Sequence, residues 1–327
     1  MSGCIIIGTG AALPEKALHN QELEEKVDTS DEWISSRTGI KNRFIARKGE
    51  ETSQLAASAS RQALAMAGVQ PEEIDLIVLG TISAEIAMPS CACLVQKEIG
   101  AVNAFAFDIN AACCGFVYGL DLADKYIRAN PDMKVLVIGA ETLSSRTNWQ
   151  DRNTCVLFGD GAGACVVTGG PEGQQRGLLA SRLFSDGRLW KLLFMEGPPS
   201  MNPDLEREGK EGPYIQMAGR DVFKNAVRAM GDAVCQVLAD LQISADDLKV
   251  LIPHQANIRI IQSLRERLGV PAEKVYVNIN KYGNTSAASV PIALDEVNRA
   301  RMLEPGDLVL LCTFGAGLTW GATVLRW

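Results

Sequence analysis

A cysteine, a histidine and an asparagine, each in a short turn after an apolar strand, are the residues of this 327-residue chain best placed for chemistry. Cys113 lies in Ala111–Gly115, where the strand-like run Phe105–Asn110 ends and a helix can open. A thiol at a helix start meets unpaired backbone N–H groups and the positive end of the helix dipole. Both stabilise thiolate and lower the pKa from its usual value of about 8.5, which is the setting of a nucleophile. The same residues also fit two small side chains, Cys113 and Cys114, filling a crowded helix start. His254 follows the apolar run Leu251–Pro253, and Asn284 lies in Tyr282–Ser289. A histidine satisfied by its surroundings and an asparagine capping a helix would look the same. Position alone leaves the reaction open.

The elements that must position these residues repeat. Gln62–Leu79 aligns without a gap to Gln236–Pro253, 174 positions later, as helix end, short acidic link and buried strand. Phe105–Asn110 resembles Val275–Asn280, and Val135–Gly139 resembles Leu308–Leu311. Phe223, Ala226, Val227, Met230, Ala233, Val234, Val237, Leu238 and Leu241 mark one face of a helix in the second copy. The pattern predicts two similar α/β halves, residues 1–170 and 171–327, each a mixed sheet with helices. Both halves end in glycine-rich hairpins, at Phe158–Gly163 and Phe314–Gly317, and the boundary falls near Gly169–Pro171. The repeat puts His254 at the same sheet end as the Cys113 turn, and ligands of open α/β sheets gather at the carboxyl ends of strands. The segment from Asp186 to Gly219, with Pro198, Pro199, Pro203 and the charge run Glu206–Glu211, reads as a long loop.

Composition removes whole classes of function. A net charge of −7 argues against a general nucleic-acid binder. Two histidines, His19 and His254, nearly exclude a multi-histidine metal centre. Nine cysteines without a C-x-x-C pair argue against zinc and redox sites and fit small buried hydrophobes in a reducing, cytoplasmic compartment. The N-terminus has no basic region before its apolar run and reads as a strand, not a signal peptide. Leu308–Leu325 carries no charge, but Gly315, Gly317 and Gly321 favour a buried hairpin over a membrane helix.

At these residues the chain resembles the β-ketoacyl-acyl-carrier-protein synthase III family, the initiating condensing enzymes of the thiolase-like superfamily. The resemblance spans essentially the whole chain. It rests on Thr29–Ile40, the Ala111-Ala112-Cys113 turn, Phe158–Ala164, His254–Arg259, Gly283–Ser289 and Phe314–Gly321 in order. It implies a thiolase-like α/β fold with mixed five-stranded sheets in α-β-α-β-α layers, and a homodimer. It implies that Cys113 takes the acyl group of a short acyl-CoA. Malonyl-acyl carrier protein then loses CO2, and its carbon attacks the acyl-cysteine to give a 3-oxoacyl product. His254 Nε2 and the Asn284 amide would hold the malonyl thioester oxygen, and the backbone N–H groups of Cys113 and Ala316 the acyl oxyanion. Some relatives carry glycine at position 316, and alanine there requires a negative φ. No metal and no cofactor is implied, coenzyme A being substrate.

The resemblance further implies that Trp33 and Arg152 sandwich the adenine and that Arg37 pairs a phosphate. Phe223 and Asn257 would complete the coenzyme A contacts. Gln255, Ala256, Asn257, Ile258, Arg259, Lys224, Arg265 and Arg267 would meet the acidic carrier protein. Met88 would close the acyl pocket of a partner subunit and, being thinner than the phenylalanine often found there, admit longer or branched primers. With His19 in an early polar loop and Cys312 on a buried strand, Cys-His-His and two-cysteine sites are poorly served. Three other readings stand beside this one. The first is a diverged relative in secondary metabolism acting on another acceptor, and the second a non-catalytic acyl-CoA binder. The third is a nucleotide-binding module built on Gly8-Thr9-Gly10, a partial dinucleotide fingerprint.

Overall fold

The computed structural model describes residues 3–170, 176–197, 201, 204 and 212–327. Pro171 of the expected boundary, Pro198, Pro199, Pro203 and the charge run Glu206–Glu211 lie outside these residues. In chain order, the first part forms β1 (Cys4–Ala12), β2 (Lys16–His19), α1 (Asn20–Glu24), α2 (Asp31–Thr38), β3 (Asn42–Ile45) and α3 (Thr52–Ala67). It continues with β4 (Leu76–Gly80), α4 (Cys91–Ile99), β5 (Phe105–Ile109), α5 (Gly115–Ala129), β6 (Val135–Thr142), α6 (Arg152–Cys155) and β7 (Asp160–Gly169). Then follow β8 (Gly177–Ser185), β9 (Leu193–Met195), β10 (Ile215–Met217), α7 (Gly219–Leu241), β11 (Leu248–Pro253) and α8 (Ile258–Leu268). The chain ends with α9 (Ile279–Tyr282), α10 (Ser289–Arg299), β12 (Leu308–Gly315) and β13 (Thr319–Arg326).

The repeated sequence becomes a repeated sheet. One sheet has the order β1-β7-β6-β4-β5, the other β8-β13-β12-β11. In both, a parallel pair, β4–β6 or β11–β12, continues into an antiparallel one, β6–β7 or β12–β13; the second is a tight hairpin, whereas α6 lies between β6 and β7. The uncharged run Leu308–Leu325 is therefore hairpin, and among the described residues no helix is long and apolar enough to cross a membrane. The second sheet departs from the expected five strands. Val275 makes a single parallel bridge to Leu251. Beyond it the Gln255 amide replaces the ladder: its Nε2 donates to Tyr276 O, and its Oε1 accepts from Asn278 N and Ile279 N. Backbone groups satisfied by a side chain have no call to pair with a strand.

Two helices form the middle of the molecule. Phe116, Val117, Leu120 and Ala123 of α5 and Val290, Ala293, Leu294 and Val297 of α10 share one core with strands of both sheets. Outside, α3 and α4 cover the first sheet, and α7 and α8 the second. The result is the layered α-β-α-β-α arrangement. Strand β4 is buried at every residue, as a parallel strand covered on both faces must be.

Two glycine contacts set the distances between layers. A Cβ on Gly10 would stand 2.2 Å from Ala59 O of α3. The Gly8-Thr9-Gly10 segment thus serves strand–helix packing and not a dinucleotide. At the centre, a Cβ on Gly80 would stand 2.6 Å from the Gly115 carbonyl carbon, and one on Gly115 2.8 Å from Gly80 Cα. The start of α5 rests directly on the end of β4. Substituting Gly115→Ala should therefore lower stability by about 1–3 kcal/mol through overpacking. An unchanged urea midpoint would show that the contact can relax.

Candidate active site

The three residues converge on one cavity of about 1070 Å³ lined by Cys113, His254, Asn284, Ser286, Phe314 and Ala316 at its inner end. His254, Asn284, Ser286 and Phe314 are buried, whereas Arg37, Arg220, Lys224 and Arg259 are exposed lining residues. The cavity therefore has a largely buried inner end and a basic rim on a chain of net charge −7. Arg220 was not a sequence candidate. It lies on α7 one turn before the periodic face, where only the tertiary position of the helix reveals its direction.

Cys113 occupies a 3-10 turn, Ala112–Cys114, that leads into α5. Ala112 takes φ 46°, which swings the cysteine off the end of β5. At the matching turn of the second copy, 174 positions later, Ser286 takes φ 50°. Cys114 is fully buried and its thiol faces Thr319 O at 3.4 Å, so it points away from the cavity. The thiol chemistry differs from the sequence expectation. Burial pushes Cys113 up to about 12, and a hydrogen bond with Ser286 offsets only part of that. Loss of hydration at the sulfur outweighs one helix start.

His254 is placed by the end of β11, where its N–H donates to Cys312 O at 2.8 Å. Its Nδ1 is 2.6 Å from Ser289 Oγ, the first residue of α10. That hydroxyl also accepts from Gln255 N at 3.4 Å. When it donates to Nδ1, the ring proton is on Nε2 and the imidazole is an N–H donor at the cavity it lines. Burial holds the imidazole at about 4, neutral at physiological pH. Asn284 is fixed by its backbone, which bridges Phe158, and by Oδ1, which accepts from Ser286 N at 2.9 Å. Its Nδ2 has no acceptor among the described residues and is left for a ligand. Ala316 has a negative φ, so alanine sits there without strain. A thiol beside two preoriented N–H donors can hold an acyl group and stabilise an oxyanion.

The outlying candidates separate. Trp33, Arg37, Phe223, Lys224, Ala256, Asn257 and Arg259 line the cavity. Ile258 packs toward Gly39. Gln255 is not a surface contact: it is 1% exposed and spends its amide on the 275–279 segment. Arg152 lies 4.2 Å from the Trp33 ring and pairs with Asp28, so the two stack on each other. A base between them would need roughly 7–8 Å, twice a van der Waals separation, and hence a swing of Arg152. Arg265 pairs with Glu266 and Arg267 with Asp232, and neither lines the cavity. Met88 is 86% exposed and outside the cavity of its own chain. His19 is exposed at the end of β2, and Cys312 is buried in β12. Sequence reading missed Glu141 at the end of β6. It is fully buried beneath the site and bonded to Ser286 at 3.0 Å.

Comparison with known proteins gives one consistent result. Residues 107–187 match the family model "3-Oxoacyl-[acyl-carrier-protein (ACP)] synthase III", and residues 238–327 its C-terminal counterpart. A beta-ketoacyl-[acyl-carrier-protein] synthase III of Desulfotalea psychrophila is 57% identical over 323 residues, 99% of each chain. The namesake of Aquifex aeolicus is 48% identical over 325 residues, 99% of this chain and 100% of its own. A crystal structure of the 3-oxoacyl-[acyl-carrier-protein] synthase III from Aquifex aeolicus VF5 superposes with a TM-score of 0.92 over 99% of this chain and 100% of that one.

The buried imidazole has a measurable signature. An unfolded histidine binds a proton near pH 6.5, whereas His254 in the fold does so only near 4. Between these values the unfolded state holds more protons, so this site's share of stability is full above 6.5 and is lost as pH falls to 4. The loss should approach about 3 kcal/mol. Glu141, raised by burial to about 7, contributes with the opposite sign between 4.5 and 7. The difference between wild type and His254→Asn in urea unfolding from pH 7 to 4 isolates the histidine. A constant difference would show that His254 titrates in the fold as it does unfolded, and that burial does not shift it.

Proposed function

The chain belongs to the 3-oxoacyl-[acyl-carrier-protein] synthase III family, and from that premise we propose how its own residues carry out the condensation that initiates fatty-acid synthesis. It is an acyltransferase, a condensing enzyme that joins a short acyl-CoA primer to malonyl-acyl carrier protein. The observation that carries the residue assignments is the convergence of Cys113, His254 and Asn284 on one cavity.

In the first half-reaction Cys113 Sγ attacks the acyl-CoA carbonyl. The oxygen charge is held by the N–H groups of Cys113 and Ala316, and coenzyme A leaves. In the second, the malonyl thioester oxygen lies against His254 Nε2 and Asn284 Nδ2. The C–CO2 bond breaks, its electron pair forms an enolate under those donors, and the enolate carbon attacks the acyl-cysteine. Cys113 leaves as a thiolate and takes up one proton from solvent, and the 3-oxoacyl-carrier protein departs. A neutral histidine donor suits this step, because it stabilises charge on oxygen without first giving up a proton. Each donor of this kind is worth roughly 3–4 kcal/mol in comparable oxyanion sites. No resident cofactor or metal is needed.

Trp33, Arg37, Phe223 and Asn257 line the coenzyme A path, with Arg152 moving off Trp33 to admit the base. Lys224 and Arg259, backed by Ala256, Asn257 and Ile258, face the acidic carrier protein. The halves 1–170 and 171–327 act as one unit, because the nucleophile comes from the first and both donors from the second. A homodimer would bring Met88 of the second subunit to the inner end of the acyl pocket. A reducing cytoplasm suits nine free cysteines.

Mixing the protein with acetyl-CoA should add one acetyl group on Cys113, seen by intact mass and peptide mapping, and none in Cys113→Ala. Labelling at Cys114 would falsify the assignment. Asn284→Ala should retain acylation and lose condensation by about 10²–10³-fold. Isobutyryl-CoA and butyryl-CoA should support initial rates comparable to acetyl-CoA. Negligible rates with both would remove the role given to Met88.

A further inference from the structure

Glu141 is a buried carboxyl that the condensation described above leaves unused. It stands at the end of β6, beneath the turn that carries Ser286, and its two oxygens have different surroundings. Oε2 accepts from Ile82 N at 3.1 Å, Thr81 Oγ1 at 3.2 Å and Ser83 Oγ at 2.5 Å. Both hydroxyls are fixed as donors, because Ser83 Oγ accepts from Thr142 N and Thr81 Oγ1 accepts from Ser83 N. A proton placed on Oε2 would break one of these bonds. Oε1 has one partner, Ser286 Oγ at 3.0 Å. Ser286 and Cys113 line the inner end of the same cavity, and the serine hydroxyl is near enough to the thiol to offset part of the effect of burial on it. The hydroxyl can donate to Oε1 while accepting from the thiol, or the reverse. The titratable groups that face Glu141 are the Cys113 thiol, from the turn before α5, and the Cys91 thiol at the start of α4.

We propose that Glu141 is the proton acceptor for Cys113, reached through the Ser286 hydroxyl. The inference rests on Cys113 being the acylated nucleophile. As the new S–C bond forms, the thiol proton passes to Ser286 Oγ and the serine's own proton passes to Glu141 Oε1. The bond to the coenzyme A sulfur breaks, and the departing thiolate takes the proton back through Ser286. Acyl-enzyme, free coenzyme A thiol and a carboxylate remain. Burial holds the Glu141 carboxyl at about 7, where it can both take and return a proton near neutrality. The device answers the difficulty of the site, where burial raises the thiol above its ordinary value.

The test is the rate of Cys113 alkylation by iodoacetamide from pH 5.5 to 9, read by peptide mass, beside single-turnover release of coenzyme A from acetyl-CoA. In the wild type both rates should rise through pH about 7. In Glu141→Gln that inflection should vanish and both rates at pH 7.5 should fall by roughly 10²-fold. Retention of the inflection in Glu141→Gln overturns the proposal, because a merely structural role leaves the profile in place. Should that variant fail to fold, Ser286→Ala gives the same reading, alanine being accommodated at φ 46° in the matching turn at Ala112. Wild-type alkylation with the inflection, but no release of coenzyme A, would instead sink the acyl-CoA reading and leave the proton path standing.

Discussion

The contact between Gly80 and Gly115 is the constraint on which the site depends. With no Cβ on either residue, the start of α5 sits directly on the end of β4. That approach sets the depth of the Cys113 turn between the two sheets. A Cβ on Gly315 would likewise stand 2.8 Å from Cys113 N, so the second sheet meets the same turn from its other side. Cys113 is clamped between both copies of the repeat. Its neighbours Ala112 and Ser286 hold positive φ values that exposed loops rarely sustain.

Once α5 and α10 are packed between the sheets, the remaining chemistry follows from where their starts point. Ser289, the first residue of α10, holds the His254 ring through Nδ1. Ser286 lies between Cys113 and Glu141. Asn284 is locked by Phe158 on one side and Ser286 on the other. Polar groups in such a dry place must be partnered, and each partner restricts the next. The result is a site whose polar side chains are oriented by their partners, the arrangement that preorganised stabilisation of developing charge requires.

The basic rim obeys different physics. Arg37, Arg220, Lys224 and Arg259 are exposed, so their charges are screened and individually weak, yet together they can steer an acidic partner. Arg265 and Arg267 carry the same charge but are engaged by Glu266 and Asp232. Charge counting along α8 could not separate the two sets, because the pairing carboxylates lie partly on another helix.

Much was legible in the linear chain. The repeat at an offset of 174 residues announced two like sheets, and the shortage of histidine left His254 as the sole imidazole in the repeated pattern. Period and residue type are local properties, so local patterns carry them. What the chain could not disclose were relations between distant positions. The Cys113 thiol was expected to be acidified by its helix start, but the enclosing second sheet raises it. Gln255 was expected at the surface and instead completes the edge of a sheet. Glu141 carried no motif, since its meaning comes from Ser286, 145 residues later. Desolvation and hydrogen-bond polarity are set by everything that surrounds an atom, and only the folded chain decides what that is.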